Sequence, residues 1–198
     1  MASIALFPSV LGVRPGIDDA VTRLEARGHQ VTVVDLAEGR TYDDYEPAMA
    51  YVEEVGFPVL MATALEATAG LPDGLVTMGF SNGAGMAEYV AGHRPGVTGV
   101  LMLAGAIDPK YLDMSWPAGV PGQVHTTVDD PWRDEGIDAT VTAAAAAGAT
   151  VEAFDYPGSG HLFADPGKPD EYQPAEAELM WSRVLDFLDE IDGSQRPA

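Results

Sequence analysis

Ser81 is the residue best placed to act as a nucleophile. It is the centre of Gly79-Phe80-Ser81-Asn82-Gly83, a G-x-S-x-G pattern. The context gives the pattern its meaning. Leu75-Val76-Thr77-Met78 reads as a strand before it, and Ala84-Gly85-Met86-Ala87-Glu88-Tyr89 as a helix after it. A serine on such a sharp turn takes a strained backbone, so its neighbours must be small, and Gly79, Gly83, Ala84 and Gly85 are. The following helix also points free N–H groups at it. A capped strand-to-helix turn without chemistry would use similar letters, so the reading needs a base and an acid.

The chain has four histidines. His29 lies in the turn after Arg27-Gly28 and is expected at the surface. His93 follows a helix, where an imidazole near the C-terminal dipole is unremarkable. His125 lies within an apolar strand and reads as a satisfied core histidine. His161 differs, because Pro157-Gly158-Ser159-Gly160-His161 is a Gly-rich loop directly after the last strand. That placement sets it at the C-terminal sheet edge, beside the serine. An acid must then fix its tautomer and stabilise the imidazolium. The loop Thr127-Val128-Asp129-Asp130-Pro131-Trp132 supplies one at the same edge, in either Asp129 or Asp130. Two backbone N–H groups should face the charge that develops on a substrate oxygen. Asn82 offers one. Val10, in Pro8-Ser9-Val10-Leu11-Gly12-Val13, offers the other, with Ser9 supporting it or touching substrate.

The elements that must position these residues follow from periodicity. Short apolar runs at 3–8, 30–35, 75–80, 97–104, 122–127 and 150–155 read as strands. Helical patterns cover 18–27, 58–69, 82–91, 134–147 and 174–191, with a further helix near 48–55 inside an ambiguous stretch. The last helix repeats Ala177, Met180, Trp181, Val184, Leu185 and Leu188 at helical spacing. Alternation of this kind makes an α/β, doubly wound, mainly parallel sheet of about six strands with helices on both faces. Residues 1–192 should form one domain without a cap, and 193–198 a flexible tail.

Composition narrows the function classes. The 198 residues are 46% hydrophobic, enough for one core. Acids outnumber bases 31 to 10, a formal charge of −21 that speaks against nucleic acid and anionic membrane surfaces as partners. The acid pairs read as a solvated surface. There is no cysteine, which excludes disulfides, thiolate catalysis and Cys-ligated zinc. No metal or other cofactor is expected. The N-terminus has no basic n-region, and no apolar run approaches the ~20 residues of a membrane span. A cytoplasmic protein, monomer or homodimer, is the expectation.

These residues resemble the dienelactone hydrolase family of the α/β-hydrolase superfamily. Leu6 to Val13 is similar to its first strand and oxyanion loop. Leu24-Glu25-Ala26-Arg27-Gly28-His29-Gln30-Val31, followed by Asp35-Leu36, resembles its next segment. Tyr156-Pro157-Gly158-Ser159-Gly160-His161-Leu162-Phe163 resembles its histidine signature, the most specific match. Asp130-Pro131-Trp132 resembles its acid followed closely by an aromatic residue, which selects Asp130 over Asp129. The resemblance implies a Ser81–Asp130–His161 triad and a small ester or lactone as substrate. Phe80, Trp116, Trp132, Leu162 and Phe163 are the apolar candidates to line the pocket. Two departures shape the expectation. The founding members carry a cysteine where this chain has Ser81, and a glutamate where it has Ser9. They also bind a substrate carboxylate through arginines, whereas Asp165 follows Phe163-Ala164 here and no arginine lies between Arg40 and Arg94. A neutral substrate is therefore expected. A non-catalytic binding module on the same fold is the alternative. A flavodoxin-like nucleotide binder fits less well, because Gly12-Val13-Arg14-Pro15-Gly16 is not a phosphate-cradling loop.

Overall fold

The computed structural model describes residues 1–133 and 136–194. Six strands form one parallel sheet: β1 (Ser3–Phe7), β2 (Gln30–Val33), β3 (Leu75–Phe80), β4 (Val97–Leu103), β5 (Gly122–Thr127) and β6 (Val151–Tyr156), in the order β2-β1-β3-β4-β5-β6. Six α-helices connect or cover them: α1 (Pro15–Ala26), α2 (Tyr45–Val55), α3 (Phe57–Thr68), α4 (Asn82–His93), α5 (Gly136–Ala146) and α6 (Pro174–Ser194). This is the expected doubly wound α/β sheet.

Period-two alternation divides the core into two layers. Ile4, Leu6, Val76, Met78, Leu101 and Leu103 face α1 and α6. Ala5, Phe7, Leu75, Val100, Met102 and Val124 face α3, α4 and α5. Strands β3 and β5 are buried along their whole length; β3 is mostly apolar, while β5 carries Gln123, His125, Thr126 and Thr127 inside. On α6, Met180, Trp181, Val184 and Leu188 are all at most 2% exposed. Burying each of these side chains stabilises the fold by roughly 1.5–3 kcal/mol.

The helix boundaries move by a few residues. Helix α1 begins at Pro15, whose ring presets φ for a first turn. The ambiguous stretch resolves into α2, which starts at Tyr45 and turns at Gly56 (φ 88°) into α3, bent by 83°. Ala48 of α2 is buried, and Tyr51, Val52 and Val55 are half-buried at helical spacing from it. Helix α6 takes in Gly193 and Ser194, and residues 195–198 of the expected tail lie outside the described residues. Among the described residues, no single helix is long and apolar enough to cross a membrane.

His29 is a correction. It is 4% exposed and its Nδ1 accepts the Ala2 N–H at 3.2 Å. The tight turn at Gly28 brings β2 back beside β1, and the imidazole is trapped at that junction.

His125 sits in the core, as expected. It is fully buried, donates from Nε2 to Gln123 Oε1 (3.1 Å) and receives the Tyr156 hydroxyl at Nδ1 (2.8 Å). Burial pushes its pKa down to about 3, helped by Arg183. The folded pKa lies below the unfolded value of ~6.5, so the unfolded chain binds the extra proton as pH falls between them. This one group should therefore remove about 1.4 kcal/mol of stability per pH unit across that window. Urea unfolding at neutral and mildly acid pH should show a smaller acid-side loss for His125→Gln than for wild type.

Sheet order places the site. The chain leaves β1 outward to β2, then returns to the other side of β1 with β3. The loops after β1 and β3 thus part at the point where strand order reverses, which opens a crevice at the C-terminal edge.

Candidate active site

Ser81 occupies the turn from β3 into α4 at φ 54°, ψ −118°. This is a costly conformation for a residue with a Cβ. It is held on both sides. The Ser81 N–H donates to Leu103 O on β4 (2.7 Å), and its carbonyl accepts the Ala84 N–H (2.8 Å). The flanking glycines are needed for space. A Cβ on Gly79 would lie 1.9 Å from the Gly83 carbonyl oxygen, and one on Gly83 would lie 2.2 Å from the Phe7 carbonyl oxygen. Both obstacles are backbone and cannot rotate away. Gly79→Ala or Gly83→Ala should cost more than about 3 kcal/mol, measured as a lowered urea midpoint.

His161 and Asp130 complete a hydrogen-bonded chain. Ser81 Oγ lies 2.7 Å from His161 Nε2, and His161 Nδ1 lies 2.8 Å from Asp130 Oδ2. A carboxylate can only accept, so Nδ1 carries the proton and Nε2 accepts the serine O–H. The Asp130 side chain is 2% exposed, and its other oxygen accepts the Trp132 N–H at 2.8 Å. Asp129 is exposed, and its N–H donates to Gly158 O. The structure thus brings Asp130, not Asp129, to the imidazole.

The histidine loop is braced by residues with no motif of their own. Thr127 Oγ1 donates to Gly160 O, and the Gly160 N–H donates to Gln173 Oε1. Gln173 also donates to Pro157 O. Glu171 accepts both the Leu162 N–H (2.7 Å) and the Tyr45 hydroxyl (2.9 Å). The Tyr45 ring stands edge-on to His161, with centroids 6.0 Å apart, and tilts against Trp132. Burial and Glu171 push the Tyr45 phenol upward, so it remains a donor.

Val10 and Asn82 line one small void with Pro8 and Ser9. Among the described residues neither amide has a protein acceptor. The Ser9 hydroxyl accepts the Leu11 N–H and its carbonyl accepts the Gly12 N–H, which shapes the loop around Val10.

A family model for the dienelactone hydrolase family matches residues 2–192. The chain belongs to the dienelactone hydrolase family. No curated protein sequence matches it. Solved structures share its fold at low identity. A dienelactone hydrolase-like promiscuous phosphotriesterase from metagenomic libraries aligns with a TM-score of 0.75 at 17% identity, over 96% of this chain and 87% of its own. A thermophilic esterase from Thermogutta terrifontis, with butyrate bound, aligns at 0.71 and 16%, over 96% and 83%. Mouse alpha/beta hydrolase domain-containing protein 10 aligns at 0.66 and 14%, over 96% and 90%.

Within this dienelactone hydrolase family chain, a cavity of about 160 Å³ lies directly on Ser81, Asn82 and His161. Ala104, Gly105, Ala106, Ile107 and Ile137 give it an apolar wall, and Trp132 closes one side. Glu88, fully buried on α4, sets that wall: its carboxylate accepts the Ile107 N–H (2.8 Å) and the Thr140 hydroxyl (2.9 Å). Glu88→Ala would strand the Ile107 N–H, while the Thr140 hydroxyl keeps Ile107 O at 3.1 Å, and should lower stability by about 1–3 kcal/mol, read by urea unfolding.

Several pocket expectations need correction. Trp116 is 3% exposed and donates its indole N–H to Val120 O, within the core layer under α4. Phe163 is 1% exposed and packs on Tyr156. Phe80 and Leu162 are also buried and border a void of about 10 Å³. Phe80 ends β3 facing the core, and Trp116, Leu162 and Phe163 turn inward from loops that cap it. Trp132, 54% exposed, is the aromatic residue of that set at the cleft. Arg133 was not anticipated there. It lines the cavity, but its guanidinium pairs with Asp155 (2.5 Å) and also donates to Thr126 Oγ1. Nothing in the sequence pattern marks it. Among the described residues, no group of three or more His, Asp or Glu side chains could hold a metal ion.

Proposed function

We propose that the chain is a serine hydrolase that cleaves a small, neutral carboxylic ester or lactone through an acyl-enzyme. The observation that carries this reading is the continuous Ser81–His161–Asp130 hydrogen-bond chain on the strained turn. The Ser81 hydroxyl gives its proton to His161 Nε2 as Oγ attacks the carbonyl carbon. Asp130 holds the imidazole in the accepting tautomer and stabilises the imidazolium. The Val10 and Asn82 amides receive the oxyanion, and each such donor is typically worth about 10²–10³ in rate. His161 then protonates the leaving oxygen, and water, deprotonated by the same imidazole, releases the acid.

Substrate charge follows from the surroundings. Asp155 neutralises Arg133, and the chain carries a net charge of −21. An anionic ester would enter against that field. The likeness to an esterase with bound butyrate supports a short carboxylic ester. Reaction with a fluorophosphonate, followed by peptide mass mapping, tests the reading. The adduct is expected on Ser81, and folded protein that leaves Ser81 unlabelled would refute it.

A further inference from the structure

A second, larger hollow adjoins the first. A groove of about 820 Å³ runs along α2 and the start of α3, lined by Tyr45, Met49, Val52, Phe57 and Trp132. Glu46 and Glu53, both exposed, also line it. Trp132 borders the groove and the small cavity alike, so one indole separates them. Two rings that line the groove also reach the triad: Trp132 and Tyr45 both pack against His161, with centroids 6.1 and 6.0 Å away.

We propose that Trp132 divides the site into two subsites, with a short acyl group in the cavity and an apolar, neutral or cationic alcohol in the groove. This rests on the acyl-enzyme reading above. The bond that breaks joins the carbonyl carbon to the alcohol oxygen. That oxygen takes its proton from His161 Nε2, so the alcohol departs on the side of the imidazole. Tyr45 and Trp132 flank that ring and open onto the groove. The acyl group stays on Ser81, beside Asn82 and the wall from Ala104 to Ile107. Size separates the two: a cavity of ~150 Å³ takes about one benzene, which limits the acyl chain to a few carbons. Charge sets the remaining preference. Aromatic faces with carboxylates at the rim attract a quaternary ammonium and repel a carboxylate.

Two ester series test the division. With a common methyl alcohol, kcat/KM should fall at least about tenfold from butyrate to octanoate. With a common acetate, it should rise about tenfold from methyl to hexyl, through KM. The acetate of a quaternary ammonium alcohol should outrun that of a hydroxy acid, and Glu46→Gln with Glu53→Gln should shrink that gap. Met49 is 43% exposed, so Met49→Asp should fold. It should slow hexyl acetate about tenfold more than methyl acetate. Ala106→Val should penalise butyrate against acetate. If that variant fails to fold, Ile107→Ala should improve octanoate instead. Octanoate accepted as readily as acetate, or a Met49→Asp that alters acyl-length preference, would overturn the division while Ser81 labelling still stood. No labelling and no turnover of any ester would remove both readings.

Discussion

Ser81→Ala should reduce kcat on a neutral phenyl ester by about 10⁴-fold or more, with the fold intact. The hydroxyl makes one side-chain hydrogen bond, to His161, so its removal strands no buried donor. Alanine keeps the Cβ, and the unusual backbone at φ 54° is as strained as before. Far-ultraviolet circular dichroism and urea midpoint should therefore match wild type. Ser81→Gly separates chemistry from strain. It should be equally inactive yet more stable by about 1 kcal/mol, because glycine reaches this conformation without a Cβ clash. An active Ser81→Ala would show that any measured turnover arises elsewhere.

Asp130→Asn should be nearly as damaging, at about 10⁴-fold in kcat, for a different reason. The carboxylate has two tasks, one on each oxygen: Oδ1 accepts the Trp132 N–H and Oδ2 accepts from His161. An amide can retain the first only by keeping its oxygen there. Its NH₂ then faces Nδ1 and donates to it, which moves the imidazole proton to Nε2. A protonated Nε2 cannot accept the serine hydroxyl. Asp129→Asn is the control, and should leave kcat close to wild type because that side chain is exposed. Equal losses in the two variants would remove Asp130 from the proposed mechanism.

What the sequence showed, and what it hid, divides along a physical line. The turn at Ser81 was legible because steric demand forces glycine at 79 and 83, and those letters survive in the string. Strand β3 was legible to the residue because it is buried on both faces. The loop of His161 carries its own glycines for a similar reason. The wall around the site was not legible. Helix α2 shows a helical stripe at Ala48, Tyr51, Val52 and Val55, but that stripe does not record that Tyr45 and Met49 shape the groove. Trp116 and Phe163 were assigned to the pocket by type and proximity in sequence. Side-chain direction decides that matter, and it depends on loop paths that no local pattern records. His29 and Arg133 depend likewise on distant partners, Ala2 in one case and Asp155 in the other.

The brace at Gln173 has a consequence for synthesis of the chain. The nucleophile, the acid and the base come from three separate crossovers, and β3 needs β1 and β4 on its flanks before its turn can be held. Even then, the loop of His161 lacks its support until the chain has grown past Glu171 and Gln173. A ribosome-bound chain should thus carry Ser81 without a braced base until Glu171 and Gln173 have been made. The serine should gain its base only together with the packing that Glu171 and Gln173 complete.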